Sequence, residues 1–263
     1  MMQGKTTYRL LTRGSSSNPP LLLLHGFLGS AEEWLPVASA LEEHYHCIMA
    51  DLPGHGETPA SFDTFENQID RLAGTIANLH LPPVALAGYS MGGRIALYLT
   101  LRHPHLFRQT VVISGSPGLE GAEERQLRRE SDERIAASIE RDFHAFLKSW
   151  YAMPLFAELN RHPSFSATLE ARKKNRSNRL ATALRTLGTG NQPSLWQELK
   201  ECTVPIRFFA GENDLKYVGI GQQIADLCPC CSLDIFPGCG HALHLENGEL
   251  FVDRLLISLT TRE

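Results

Sequence analysis

Three residues in this sequence have the types and the order needed to make a base or nucleophile out of a hydroxyl: Ser90, Asp214 and His241. Ser90 lies in Gly88-Tyr89-Ser90-Met91-Gly92, a G-x-S-x-G pattern. That pattern makes a strand-to-helix turn so tight that glycine is required at its flanks, and the serine hydroxyl is exposed at its tip. A serine hydroxyl reacts weakly until a histidine takes its proton and a carboxylate orients that histidine. Asp214 and His241 follow in the order that puts each at the carboxyl end of a later strand. Glu212 is a rival to Asp214, but it sits less far into the same loop. His244 is a rival to His241, but it falls inside the next helix and reads as a surface or core histidine. Negative charge developing on a substrate oxygen needs two backbone N–H donors. Met91, next to the serine, and Phe27, in His25-Gly26-Phe27, are the candidates. His25 itself reads as structural, and Asp51-Leu52-Pro53-Gly54-His55-Gly56 as loop architecture.

These residues must be positioned by short buried strands. Apolar runs occur at 21–24, 47–50, 84–88, 110–114, 206–210 and 232–236, and most end in a glycine- or proline-bearing loop. Helical patterns lie between them: one begins at Ser30, one covers 63–79, one follows Ser90 and ends near His103-Pro104, and one covers 246–259. Alternation of this kind predicts an α/β fold, a mostly parallel sheet with helices on both faces. Over 117–187 the strand pattern gives way to charged, arginine-rich helical sequence. We read 1–116 and 188–263 as the core and 117–187 as an inserted helical cap within one domain.

Composition narrows the function classes. The chain has 263 residues, 43% hydrophobic and 21% charged, which fits a globular protein and excludes a disordered or fibrous one. A net charge of -4 argues against nucleic acid or an anionic membrane as partner. No run approaches a membrane span, and the first residues, with Lys5, Arg9 and Arg13, hold no apolar leader. We therefore expect a cytoplasmic protein, a monomer without membrane insertion. The six cysteines, among them Cys228-Pro229-Cys230-Cys231 with Cys202 and Cys239, form one irregular cluster where a structural zinc site usually shows two paired knuckles. We expect free thiols and no metal.

The net charge hides an asymmetry: 117–187 carries 13 Lys and Arg against 10 Asp and Glu, so the cap is basic and the remainder acidic. Arg125, Arg128 and Arg129 fall at helical spacing, as do Arg172, Arg176 and Arg179, which we place on one later helix. Arg94, four residues after Ser90, lies one turn into the elbow helix and can reach the same cleft. Arginine's planar fork suits carboxylates. For each cap arginine the alternative is a solvated helix face. For Arg94 we favour substrate recognition, and a small polycarboxylate as partner.

His25-Gly26-Phe27, the 51–56 loop, the Ser90 elbow, the 211–214 loop and Gly240-His241 together resemble the α/β-hydrolase superfamily over nearly the whole chain. A narrower resemblance rests on Tyr89-Ser90 with Gly92-Gly93-Arg94, Ser116-Pro117-Gly118-Leu119, the arginine-bearing 123–132 run, Ser149-Trp150-Tyr151 and Arg172. In these the chain is similar to the 2-succinyl-6-hydroxy-2,4-cyclohexadiene-1-carboxylate synthases of menaquinone biosynthesis. That resemblance implies a lyase that eliminates pyruvate, with Ser90, His241 and Asp214 acting as a base. It implies that Arg94, Arg128 and Arg172 hold carboxylates, that Tyr89 and Trp150 shape the pocket, and that no cofactor is needed. The alternative is a carboxylesterase or C-C bond hydrolase working through an acyl-Ser90, and a non-enzymatic receptor on the same fold is a third class.

Overall fold

The computed structural model describes residues 8–260; Lys5 and the rest of 1–7, read above as lacking an apolar leader, lie outside them. Strand β1 (Leu10–Arg13) and the fully buried β2 (Pro20–Leu24) lead through a 3-10 turn at Ala31–Trp34 into α1 (Leu35–Leu41). Next come β3 (His46–Ala50), α2 (Phe65–Ala77), β4 (Val84–Tyr89), α3 (Met91–Arg102) and β5 (Phe107–Ile113). Five helices follow: α4 (Ala122–Arg141), α5 (Phe143–Tyr151), α6 (Ala157–Arg161), α7 (Phe165–Lys173) and α8 (Ser177–Leu187). The sheet then resumes with β6 (Ile206–Gly211), α9 (Leu215–Leu227) and β7 (Cys231–Phe236), and the described chain ends in α10 (Leu243–Glu246) and α11 (Gly248–Thr260).

The seven strands form one sheet in the order β1-β3-β2-β4-β5-β6-β7. All neighbours are parallel except β1, which runs antiparallel to β3. A strand points successive side chains to opposite faces, so a sheet covered on both sides needs strands that are apolar throughout. Leu21 and Leu23 accordingly join one core with Trp34 and Phe209, and Leu22 and Leu24 join the other with Ile95 and Phe208.

The sequence patterns miss three local features. β1 alternates too little to be seen, with Leu10 and Leu11 half-buried and Thr12 and Arg13 exposed. The last helical pattern, 246–259, corresponds to α11, and the short α10 ahead of it, separated at Asn247 with φ -150° and ψ 74°, is not seen in the sequence. Arg172, Arg176 and Arg179 do not share a helix. Arg172 is in α7 and Arg179 in α8, while Arg176 is the extended cap between them. Asn175 fixes that break by donating to the carbonyls of Leu28 at 2.8 Å and Arg172 at 3.1 Å.

Candidate active site

Ser90 sits between β4 and α3 with φ 51° and ψ -104°, a left-handed conformation that a non-glycine residue adopts only under compulsion. The compulsion is close packing. A Cβ on Gly88 would collide with the carbonyl of Gly92, and one on Gly92 with the carbonyl of Leu24. The Ser90 N–H donates to the Ile113 carbonyl at 2.8 Å, and its own carbonyl accepts from Arg94 N–H at 2.9 Å, so both sides of the elbow are tied to regular structure.

The sheet brings its two later loops to this serine. His241 Nε2 lies 3.1 Å from Ser90 Oγ, and His241 Nδ1 lies 2.7 Å from Asp214 Oδ2. With Nδ1 donating to the buried carboxylate, Nε2 is the nitrogen free to take the serine proton. The rivals have other partners: Glu212 accepts from Gly238 N–H at 2.9 Å, and His244 Nε2 lies 3.0 Å from Glu33 Oε1. Glu246 accepts from Ala242 N–H at 3.0 Å and from Gly240 N–H, bracing the loop that carries His241.

Two buried histidines shape the loop at Phe27. His25 Nε2 accepts from Leu52 N–H at 3.0 Å, and His55 Nε2 accepts from Leu28 N–H at 3.2 Å. Burial lowers both imidazoles, His55 to about 3 with His25 adding repulsion, so both stay neutral and can accept. Asp51, which accepts from Ala31 N–H at 2.7 Å and Glu57 N–H at 2.9 Å, completes this bracing as loop architecture. The Phe27 N–H has no acceptor among the described residues, and the Met91 N–H opens α3, where no intrahelical carbonyl can serve it.

Ser90 and His241 border a cavity of about 300 Å³ that is also lined by Phe27, Tyr89, Met91, Arg94, Arg128, Trp150 and Arg172. Each sequence-predicted substrate residue therefore reaches one cavity, but their surroundings differ. Arg94 is buried and donates to neutral acceptors, Gln192 Oε1 at 3.0 Å and the Leu187 carbonyl at 2.9 Å. Burial and then the nearby Arg128 bring its guanidinium down to about 10, so it remains cationic at neutral pH. Arg128 donates Nε to Asp132 at 2.8 Å and is partly exposed. Arg125 and Arg129 turn to backbone carbonyls, at Leu119 and Glu120 and at Gly190.

Arg172 is buried but already paired, through Nη2 with Glu33, and its Nε donates to Tyr151 Oη at 3.1 Å. Burial opposes its charge, but Glu33 and Tyr151 outweigh that and push the guanidinium further up. The same pairing, aided by His244, overcomes burial to hold the Glu33 carboxyl well below its usual range. Sequence reasoning missed Glu33, Tyr151 as a partner of Arg172, and Tyr217, whose ring lies 4.9 Å from that of His241. Tyr217 follows Asp214 by three residues, a first-turn position that could have flagged it. Nothing local to Glu33 signals its role.

A seven-stranded, mostly parallel sheet with a serine elbow and an acid and histidine on later loops defines the α/β-hydrolase class. The alpha/beta hydrolase family model matches residues 21–254. A 2-succinyl-6-hydroxy-2,4-cyclohexadiene-1-carboxylate synthase of Bacillus subtilis, named as putative, is 34% identical over 251 residues, covering 93% of this chain and 91% of that one. The synthase of Serratia proteamaculans is 33% identical, covering 94% and 95%. Protein PHYLLO of Arabidopsis thaliana is 34% identical over 246 residues, and there the chain spans only 14% of the relative's length. Among solved structures, MenH from S. aureus superposes with a TM-score of 0.90 at 31% identity, over 97% of this chain and 98% of that one. The chain thus belongs to the alpha/beta hydrolase family and, within it, to the 2-succinyl-6-hydroxy-2,4-cyclohexadiene-1-carboxylate synthases.

Proposed function

We propose that this protein is a lyase of menaquinone biosynthesis. It eliminates pyruvate from 2-succinyl-5-enolpyruvyl-6-hydroxy-3-cyclohexene-1-carboxylate to give 2-succinyl-6-hydroxy-2,4-cyclohexadiene-1-carboxylate. The observation that carries this reading is that Arg94 and Arg128 line the same cavity as Ser90, one sized for a small molecule. A polycarboxylate matches these arginines and a lipid ester does not. The end-to-end likeness to the synthases supports the same substrate.

In this mechanism Ser90, His241 and Asp214 act together as a base. The serine proton passes to His241 Nε2, and Ser90 Oγ takes the acidic ring proton beside the succinyl ketone. The electrons of that C–H bond move onto the ketone oxygen, where the Phe27 and Met91 N–H groups stabilise the enolate. As the enolate collapses, the ring C–O bond breaks and enolpyruvate leaves with the electron pair. The imidazolium proton returns to the leaving group, which becomes pyruvate. No acyl-enzyme forms and no water is consumed. Asp214 holds His241 in the tautomer this sequence needs.

Helices α4 to α8 form the cap of this site, and Trp150 and Tyr89 shape its apolar side. The protein acts as a monomer in the cytoplasm on a small diffusible substrate. Incubating the purified protein with the enolpyruvyl substrate should release one pyruvate per molecule consumed. Release no faster than the spontaneous rate, with rapid turnover of nitrophenyl esters and trapping of an acyl-Ser90, would replace the lyase by an esterase.

A further inference from the structure

The cysteine cluster has no part in the site above, and the fold assembles it from two separate segments. Cys228, Pro229, Cys230 and Cys231 form a β-turn closed by the bond from Cys231 N–H to the Cys228 carbonyl at 3.0 Å. Pro229 at the second position pre-sets that turn and forces Cys228 into the extended backbone, φ -103° and ψ 111°, that ends α9. Cys202 arrives from the segment before β6, 28 positions from Cys230, whose thiol donates to the Cys202 carbonyl at 3.1 Å. The Cys228 and Cys230 sulfurs lie 3.6 Å apart, and those of Cys202, Cys228 and Cys230 all lie within 4.8 Å of one another.

That spacing has a chemical meaning. Zinc–sulfur bonds of about 2.3 Å at tetrahedral angles set neighbouring sulfurs roughly 3.8 Å apart. Three sulfurs already near that separation, carried by a proline-stiffened turn, lose little freedom on closing around an ion. We infer that Cys202, Cys228 and Cys230 form a three-thiolate site for one thiophilic divalent cation of the zinc class. In the sequence the want of a second paired knuckle argues against a metal, but the β6–β7 pairing brings Cys202 to the cysteine turn.

Access is consistent with this role. Cys202 and Cys230 are half-buried and Cys228 is buried. The site lies at the amino ends of β6 and β7, whereas Asp214 and His241 follow their carboxyl ends. Six residues of β6 separate the two by roughly 20 Å. The ion would therefore clamp the strand entry and stand apart from the chemistry at Ser90.

The test uses the reduced full-length protein, handled without oxygen. Zn(II) is titrated against a chromophoric chelator, and Cd(II) while thiolate-to-metal charge-transfer absorption is followed. One ion should bind per chain, with absorption matching three thiolates and affinity that falls as pH drops, because protons must leave the sulfurs. Cys202→Ser, Cys228→Ser and Cys230→Ser should each weaken binding by at least about 100-fold, while Cys231→Ser, whose sulfur lies outside the cluster, should change nothing. Alkylation followed by mass spectrometry gives a second readout on the wild type, independent of whether a variant folds. Zn(II) should protect Cys202 and Cys230. Binding that survives Cys202→Ser, alkylation unchanged by Zn(II), or a reduced chain that takes no ion but forms a disulfide in air would each overturn the site.

Discussion

Arg94 and Arg172 are both buried at one cavity, yet they carry opposite electrostatic accounts. Arg94 rests on an amide and a backbone carbonyl, so its charge is uncompensated by any bonded carboxylate among the described residues. Arg172 shares Glu33 with His244 and is neutralised before any substrate arrives. Burying a charge without a counter-charge is costly, and an incoming carboxylate can recover that cost at Arg94. At Arg172 it would have to compete with Glu33. The comparison teaches that two arginines alike in burial and lining one cavity divide into one with no bonded carboxylate among the described residues and one held by a buried carboxylate.

The largest expected effect tests the frame in which both arginines act. Ser90→Ala should lower pyruvate release by about 10³- to 10⁴-fold while leaving substrate affinity near wild type, measured by single-turnover kinetics and equilibrium binding. An unchanged rate would remove the serine from the mechanism and with it the reason to compare the two arginines.

The next test separates them through stability. Arg172→Ala leaves Glu33 buried without its guanidinium partner and should cost about 3–5 kcal/mol in urea unfolding. Glu33→Gln combined with Arg172→Met should recover most of that. Arg94→Ala removes a charge with no bonded counter-charge but leaves the Gln192 and Leu187 oxygens without that donor, and should cost less, about 1–2 kcal/mol. Equal losses for the two alanine variants would break the distinction.

Activity should sort them the other way. Arg94→Ala should reduce kcat/KM for the elimination by roughly 100-fold, about 2–3 kcal/mol of lost charge-assisted binding, and leave generic ester cleavage almost untouched. Should ester cleavage fall equally, Arg94 would be supporting the elbow instead of the substrate.

The smallest effect is a pH dependence. Glu33 has a folded-state pKa depressed below its unfolded value, so its contribution is fully present above the ordinary glutamate range and is lost as pH falls toward the folded value. Wild type should lose about 1–2 kcal/mol more than the Glu33→Gln, Arg172→Met double variant as urea midpoints are followed from pH 5 down to about pH 3. Parallel curves would mean that the pair does not govern the acid limb.

Much of this molecule was legible because its signals are local. The fully buried strands β2 and β4 announce themselves as apolar runs, since a sheet covered on both faces has no polar side to alternate with. The elbow is legible because close backbone approach admits only glycine at 88 and 92, and the histidine and acid follow from strand order. The Arg172, Arg176 and Arg179 grouping failed because Asn175 ends α7 by bonding to Leu28, a partner that helical periodicity cannot reveal.

By itself the sequence determined the sheet, the serine elbow, the order of the acid and histidine, and the basic character of the 117–187 segment. All of these depend on residue type and on spacing over a few positions. Tertiary structure alone decided which arginine is paired with a carboxylate: Glu33 meets Arg172 across 139 positions and His244 across 211. It likewise decided that Cys202 joins the cysteine turn. Charge compensation depends on distance in space, and distance in space between remote segments exists only once the chain has folded.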